Sequence, residues 1–241
     1  MKKVLTIAGS DPGGGAGIQA DLKTFAALGC YGMSAITAIA VQNTLGVSRV
    51  FPLPAEVIED QIRAVLSDYH ADALKIGMLF DKEAILAVER AIQGFDGPII
   101  LDPVMHAKGG GQLMEPDAQD AVKRLFSRVL LVTPNAIEAQ ILGNIQAKNV
   151  LIKGGHTREP DRLYLENGEI REYETSWIDT PNTHGTGCTY ASAIACYLAL
   201  GAPLVEAISA AKSYLHGAIL NGAALRLGKG HGPVHHFWRM Q

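Results

Sequence analysis

The run Val4-Leu5-Thr6-Ile7-Ala8, followed by Gly9-Ser10-Asp11-Pro12-Gly13-Gly14-Gly15-Ala16-Gly17 and then Ile18-Gln19-Ala20-Asp21-Leu22, decides the fold. An apolar, β-rich segment ends in a glycine cluster, and a helical pattern covers 15–28. A strand that turns through glycine into a helix is the opening of a βαβ unit. Reading outward, strands are expected over 34–40, 73–76, 98–101, 129–132 and 149–152. Helices are expected over 55–68, 82–92 and 116–126, with a short one from Asn135. Residues 163–166 and 170–174, around Asn167-Gly168, read as a small edge hairpin. A glycine turn at 184–187 then leads into a helix to about Leu200, with another over 204–224. The pattern predicts an α/β fold of three α/β/α layers with a mostly parallel central sheet, built as one domain over 1–241.

Composition narrows the function classes. The 241 residues are 48% apolar and 19% charged, which fits a globular chain rather than a disordered or fibrous one. A net charge of −3 gives no general attraction to nucleic acid or to an anionic membrane. The first residues lack a signal-peptide core, and no apolar run is long enough to span a bilayer. Three cysteines are too few for a disulfide scaffold and suit a reducing compartment, so a cytoplasmic location is expected.

Two glycine turns carry the local chemistry. The first, Gly9 to Gly17, follows a strand and opens a helix, where backbone can approach a ligand closely. It reads equally as a strained turn or as a weak dinucleotide fingerprint; no Gly-x-x-x-x-Gly-Lys-Ser/Thr phosphate loop is present. The second is Asn182-Thr183-His184-Gly185-Thr186-Gly187-Cys188-Thr189. Gly185 and Gly187 permit a tight turn whose following helix offers free N–H groups to an anion, and Thr186 either joins that turn or caps the helix. Cys188 at the helix entrance is placed where a thiol pKa falls. The histidines, including His235-His236, are too dispersed for a zinc site.

With Ala38-Ile39-Ala40-Val41-Gln42-Asn43-Thr44, Lys75-Ile76-Gly77-Met78, Leu101-Asp102-Pro103-Val104-Met105, Thr133-Pro134-Asn135-Ala136-Ile137-Glu138, Ile152-Lys153-Gly154-Gly155-His156 and Gly230-His231-Gly232-Pro233 in order, the chain resembles the hydroxymethylpyrimidine and phosphomethylpyrimidine kinases of thiamine biosynthesis, within the ribokinase-like superfamily. The resemblance implies ATP and Mg²⁺ as cofactors, a small pyrimidine as acceptor, and a homodimer. It implies that Gly9, Asp21, Gln42 and Met78 surround the pyrimidine, and that Gly185, Thr186, Gly187 and Cys188 carry the transfer. Cys188 stands where wider-family sugar kinases have Asp. Lys108, Asn135, Lys153 and Thr186 are implied at the nucleotide, with Asn135 and Glu138 organising the metal. In isolation each has a plainer reading: Asp21 as a solvated helical carboxylate, Met78 as core, Lys108 in its glycine-rich loop as a solvated side chain.

One stretch departs from the family. Between Glu138 and Lys153 roughly two dozen residues of the usual crossing are missing, whereas parallel strands ordinarily need a dozen or more residues and a helix between them. The short helix from Asn135 is left to serve. Three other readings are weighed: a pyridoxal kinase acting on a similar hydroxymethyl group, a non-catalytic pyrimidine-binding regulator with a weakened nucleotide side, and a nicotinamide-dependent oxidoreductase, in which the cysteine turn has no role.

Overall fold

The first strand alternates by burial, and that alternation sets the layers. In a computed structural model describing residues 1–107, 110–155 and 158–240, β1 (Lys3–Ser10) points Leu5 and Ile7 to one face of the sheet and Val4 and Thr6 to the other. Leu5 and Ile7 meet the core beneath α2 (Ala55–Tyr69), α3 (Lys82–Ala91) and α4 (Ala118–Val122). Val4 and Thr6 face α1 (Gly17–Ala27), α6 (Thr186–Ala199) and α7 (Leu204–Gly222). Each helix buries its i, i+3, i+4 stripe, as with Ala84, Ile85, Val88 and Ala91 of α3, whose start is capped by the Asp81 carboxylate accepting from Ala84 N at 2.8 Å.

Six strands form the parallel core: β1, β2 (Tyr31–Asn43), β4 (Ala73–Ile76), β5 (Ile99–Leu101), β8 (Leu131–Val132) and β9 (Val150–Ile152). Their neighbours run β9-β8-β5-β4-β1-β2. Antiparallel strands extend both ends: β3 (Gly46–Pro52) beside β2, and the hairpin β10 (Asp161–Tyr164) and β11 (Ile170–Tyr173) beside β9. The chain leaves β1 in one direction for β2 and returns to its other side for β4, so a topological switch point falls between β1 and β4. Ligands bind outside the carboxyl ends of strands at such a point, and Gly9 and Gly77 lie there. Among the described residues no helix is long and apolar enough to cross a membrane.

The short crossing is made by α5 (Ala136–Leu142), which joins β8 to the parallel β9 with a tight loop after it. Two elements are additions to the expected pattern. Strand β3 pairs with β2 as the edge of the sheet, and β6 (His106–Ala107) with β7 (Gly111–Gln112) makes a separate ribbon. The carboxyl tail straps the tip of β2–β3: the N–H groups of Lys229 and Gly230 donate to Thr44 Oγ1 at 3.1 and 3.0 Å, and His231 N donates to Thr44 O at 2.9 Å. Farther along, His236 is buried and lies 3.1 Å from the Thr189 hydroxyl. Burial, then the charges of Lys23, His235 and His184, push its pKa down to about 4, so it packs as a neutral ring.

Candidate active site

The β1–α1 turn is organised around Asp11, which is buried at 2% exposure. Its carboxylate accepts from Gly13 N at 2.8 Å, Gly15 N at 3.1 Å and Ala16 N at 2.8 Å, and lies 2.8 Å from His184 Nε2. Burial opposes the charge, but His184, Gln42 and the Ala16 N–H hold the carboxyl well below the usual range. The glycine-rich loop therefore turns these N–H groups onto its own aspartate rather than onto a ligand.

Asp11 also joins the two glycine turns, since His184 belongs to the second. Gly185 has φ +79°, and a Cβ there would stand 1.8 Å from Gly15 O. Gly17 has φ +56°, and its Cβ would stand 2.3 Å from Gly9 O. Only glycine permits these backbones to touch. Together they open α6 into a cleft of about 1160 Å³, lined by Thr183, His184, Gly185, Thr186, Gly187 and Cys188. Gly185 is the N-cap of α6 and Thr186 its first residue; Thr186 lines the cleft rather than capping the helix.

Charge gathers opposite this turn. Lys153 Nζ is 2.5 Å from Asp102 Oδ1, and a Cβ on Gly187 would lie 3.3 Å from Asp102 Oδ2 and 3.4 Å from Lys153 Nζ. Burial acts against the Lys153 ammonium, but the charges of Asp102 and Glu138 raise its pKa, so it stays protonated. A fixed positive charge beside the free end of a helix is an anion site.

Cys188 lines the cleft as a thiol. Burial pushes its pKa up to about 11, although Lys75 and the Gly17 N–H pull the other way. The sequence-based expectation of a lowered pKa is thus reversed, because desolvation by the packed sheet outweighs the helix terminus.

The acceptor residues divide. Gly9, Gln42 and Met78 line the cleft together with Ala40 and Leu113. A Cβ on Gly9 would lie 2.6 Å from Met78 Cε, so the missing side chain lets the thioether fold across the strand end. Asp21 does not line the cleft. Its carboxylate has no exposure and accepts from Thr6 Oγ1 at 2.6 Å, Lys75 Nζ at 2.8 Å and Ser192 Oγ at 2.7 Å. It stands under the floor of the site, where a ring cannot reach it. Lys75 is equally buried, and removing either partner of such a pair alone costs about 3–5 kcal/mol.

The two residues of the expected metal pair line the cleft and also have a local structural role. Asn135 is the N-cap of α5, its side chain accepting from Glu138 N at 2.9 Å while Glu138 Oε2 accepts from Asn135 N at 2.8 Å. The Asn-x-x-Glu spacing is a reciprocal capping box. Asn135→Ala is expected to lower stability by about 1 kcal/mol in denaturant titration, with the half-saturating Mg²⁺ concentration unchanged. Glu138 lines the cleft, and among the described residues its Oε1 accepts from Met105 N at 3.4 Å. Burial and then the charge of Asp102 raise its pKa, against the pull of Lys153. Lys108 and His156 lie outside the described residues.

One part of the cleft lining was not read from the sequence as a site. Tyr173, Trp177, Leu215, His216 and Ile219 line it, and the Arg158 guanidinium sits 4.8 Å from the Trp177 ring centroid. Lys212 of α7 bonds Asp161 at 2.6 Å, and Asp161 in turn accepts from Gly154 N at 2.9 Å, fixing the turn after Lys153. The apolar positions of α7 had served only to predict a helix.

The phosphomethylpyrimidine kinase family matches this chain over residues 11–149 and 140–235. A hydroxymethylpyrimidine/phosphomethylpyrimidine kinase from Rhizobium meliloti is 46% identical over 257 aligned residues, covering 98% of this chain and 97% of its own. That alignment is longer than the chain, so the relative carries residues this chain lacks. The family match breaks and resumes at 140–149, where the crossing after α5 is short. Among solved structures, pyridoxal kinase from Staphylococcus aureus in complex with pyridoxal superposes with TM-score 0.87 at 36% identity, covering 100% of this chain and 95% of that one. Phosphomethylpyrimidine kinase from Clostridium difficile superposes with TM-score 0.79 at 39% identity over 91% of this chain and 100% of that one. With the glycine turns, the cysteine at the helix entrance and the Asp102–Lys153 pair in place, this chain belongs to the phosphomethylpyrimidine kinase family.

Proposed function

We propose that the protein phosphorylates 4-amino-5-hydroxymethyl-2-methylpyrimidine with ATP, and then the resulting monophosphate, giving the diphosphate for thiamine biosynthesis. The observation that carries the reading is Cys188, which opens onto the same cleft as Gln42 and Met78 and follows the Gly185–Gly187 turn. Gln42 offers an amide donor and acceptor to a ring nitrogen and amino group, and Met78 packs a polarizable thioether on the ring. The acceptor oxygen attacks the γ-phosphorus in line as the bond to ADP breaks. The transition state is loose, so positioning and charge stabilisation dominate. Cys188 Sγ accepts or orients the hydroxyl proton, while the helix N–H groups and Lys153 face the phosphoryl oxygens.

Among the described residues no three His, Cys, Asp or Glu side chains form a metal cage. A Mg²⁺ that keeps its waters and phosphate oxygens needs only one or two carboxylates, and Glu138 at the cleft wall suits it. When bound, it would neutralise charge on the transferring phosphate. We expect a homodimer, to be checked by light scattering.

The likeness to a pyridoxal-bound kinase favours pyridoxal as a second acceptor. The test is pure protein with ATP, Mg²⁺ and either alcohol, products resolved by mass. Mono- and diphosphorylated pyrimidine are expected, with a lower kcat/KM for pyridoxal. Binding of both reactants with no phosphorylated pyrimidine would sink the reading and leave a non-catalytic binder.

A further inference from the structure

Two polar side chains on the α1- and α6-facing side of β1 and β4, Thr6 and Lys75, converge on Asp21. A lysine, an aspartate and two hydroxyls sealed between a sheet and two helices are expensive to bury, and a methyl-bearing set would pack there without that cost. Their position accounts for their presence. Ser192, which donates to Asp21 Oδ1, lies one helical turn beyond Cys188 on α6, so the two residues share a helix face. Lys75 comes from the carboxyl end of β4, at the switch point beneath the cleft, where its ammonium would stand 2.7 Å from a Cβ on Gly77. Among the described residues Asp21 is its one hydrogen-bond partner.

We propose that Lys75 is a positioning residue for Cys188: anchored through Asp21 to Ser192, its buried ammonium serves as the counter-charge for the cysteine sulfur and fixes the sulfur beneath the acceptor hydroxyl. The inference deepens, and rests on, the reading that Cys188 meets that hydroxyl. The groups acting on the sulfur are Lys75 from β4, Asp21 from α1, Asp102 after β5 and the Gly17 N–H, while Lys153 feels the sulfur in turn. Burial raises the thiol's pKa, Lys75 lowers it, and Asp21 and Asp102 raise it again. Lys75 remains protonated: burial opposes its charge, but Asp21, then Cys188 and Asp102, hold its pKa well above the ordinary value. When the sulfur ionises, its proton passes to solvent and the thiolate is left in the field of the ammonium.

The arrangement makes two substitutions act in opposite directions. Asp21→Asn keeps an acceptor oxygen for Thr6 and Lys75 and turns its amide NH2 to the Ser192 hydroxyl, which then accepts; it removes the competing negative charge, so the thiolate becomes the counter-ion of Lys75. Lys75→Met with Asp21→Asn removes both charges and strands neither. The probe is iodoacetamide, with alkylation of the peptide containing Cys188 followed by mass across pH 7 to 11, alongside steady-state kinetics. Alkylation at pH 8 is expected to be at least tenfold faster in Asp21→Asn and at least tenfold slower in the double variant than in the unaltered protein. The double variant should also lose about tenfold in kcat with little change in KM for ATP.

A merely structural cluster would move both variants the same way, or neither, and either result overturns the proposal. Should Asp21→Asn, which leaves the Lys75 ammonium without its carboxylate, fail to fold, the double variant alone decides, because an unchanged or faster alkylation contradicts a counter-charge. The alkylation profile does not depend on turnover. Full turnover in Cys188→Ala would remove the role of the cysteine while leaving the charge coupling intact, so the two failures are told apart.

Discussion

Cys188→Ala is expected to lower kcat for the pyrimidine alcohol by about 10² while KM for ATP stays within about twofold. Cys188 lines the cleft just after the Gly185–Gly187 turn, and no nucleotide contact is assigned to its side chain, so its loss should leave nucleotide affinity little changed. Its raised pKa, about 11, adds a directional test. Below that value the thiolate fraction grows tenfold for each pH unit. If the thiolate takes the hydroxyl proton, kcat of the unaltered enzyme climbs from pH 7 toward pH 10 and that of Cys188→Ala stays flat. If the thiol only orients the hydroxyl, both profiles are flat and differ by a constant factor. Equal turnover in the two proteins would remove Cys188 from the reaction.

Gly185→Ala should be more damaging than any other single methyl added to the site. The methyl would have to occupy space 1.8 Å from Gly15 O, and the residue holds φ +79°. Relief requires the two glycine turns to separate, which moves the N–H groups at the start of α6 away from the transferring phosphoryl group. Loss of one such donor typically costs about 10²–10³ in kcat, and a fall of that size is expected. Gly201→Ala is the matched control: φ there is +97°, with nothing within 4 Å of a new Cβ. It should cost only backbone strain, about 1–2 kcal/mol, with kcat unchanged. A Gly185→Ala enzyme with normal turnover would show that the contact between the turns does not shape the site.

The strands and helices with strong local patterns were legible from residue order. The helix expected over 82–92 is α3 (Lys82–Ala91), and the strand expected over 73–76 is β4 (Ala73–Ile76). Strand β3 was missed although Asn43 and Gly46 bracket a hairpin turn; its residues are largely exposed, so the alternation that marks a buried strand is weak. The crossing helix was legible because Asn135 and Glu138 form a local cap, but the same spacing suggested a metal pair. Only the side-chain bonds distinguish a cap from a ligand set. Asp21 was misread for a different reason. Its partners lie 15, 54 and 171 residues away, at Thr6, Lys75 and Ser192, and no local pattern on α1 announces them. The pKa of Cys188 shows the same division: the helix start is local and visible, whereas the burial that outweighs it is assembled from several distant elements.

The carboxyl strap bears on the order in which the molecule is completed. Gly230 and Thr44 meet across 186 residues, and His184 N donates to Gly232 O while His231 lines the cleft. A nascent chain synthesised as far as α6 holds both glycine turns and Cys188, yet the tip of β2–β3 and the 181–184 loop still lack the segment that ties them down. Contacts of such long sequence separation close late and slowly. The tip of β2–β3 and the 181–184 loop therefore stay untied until residues 228–236 have emerged.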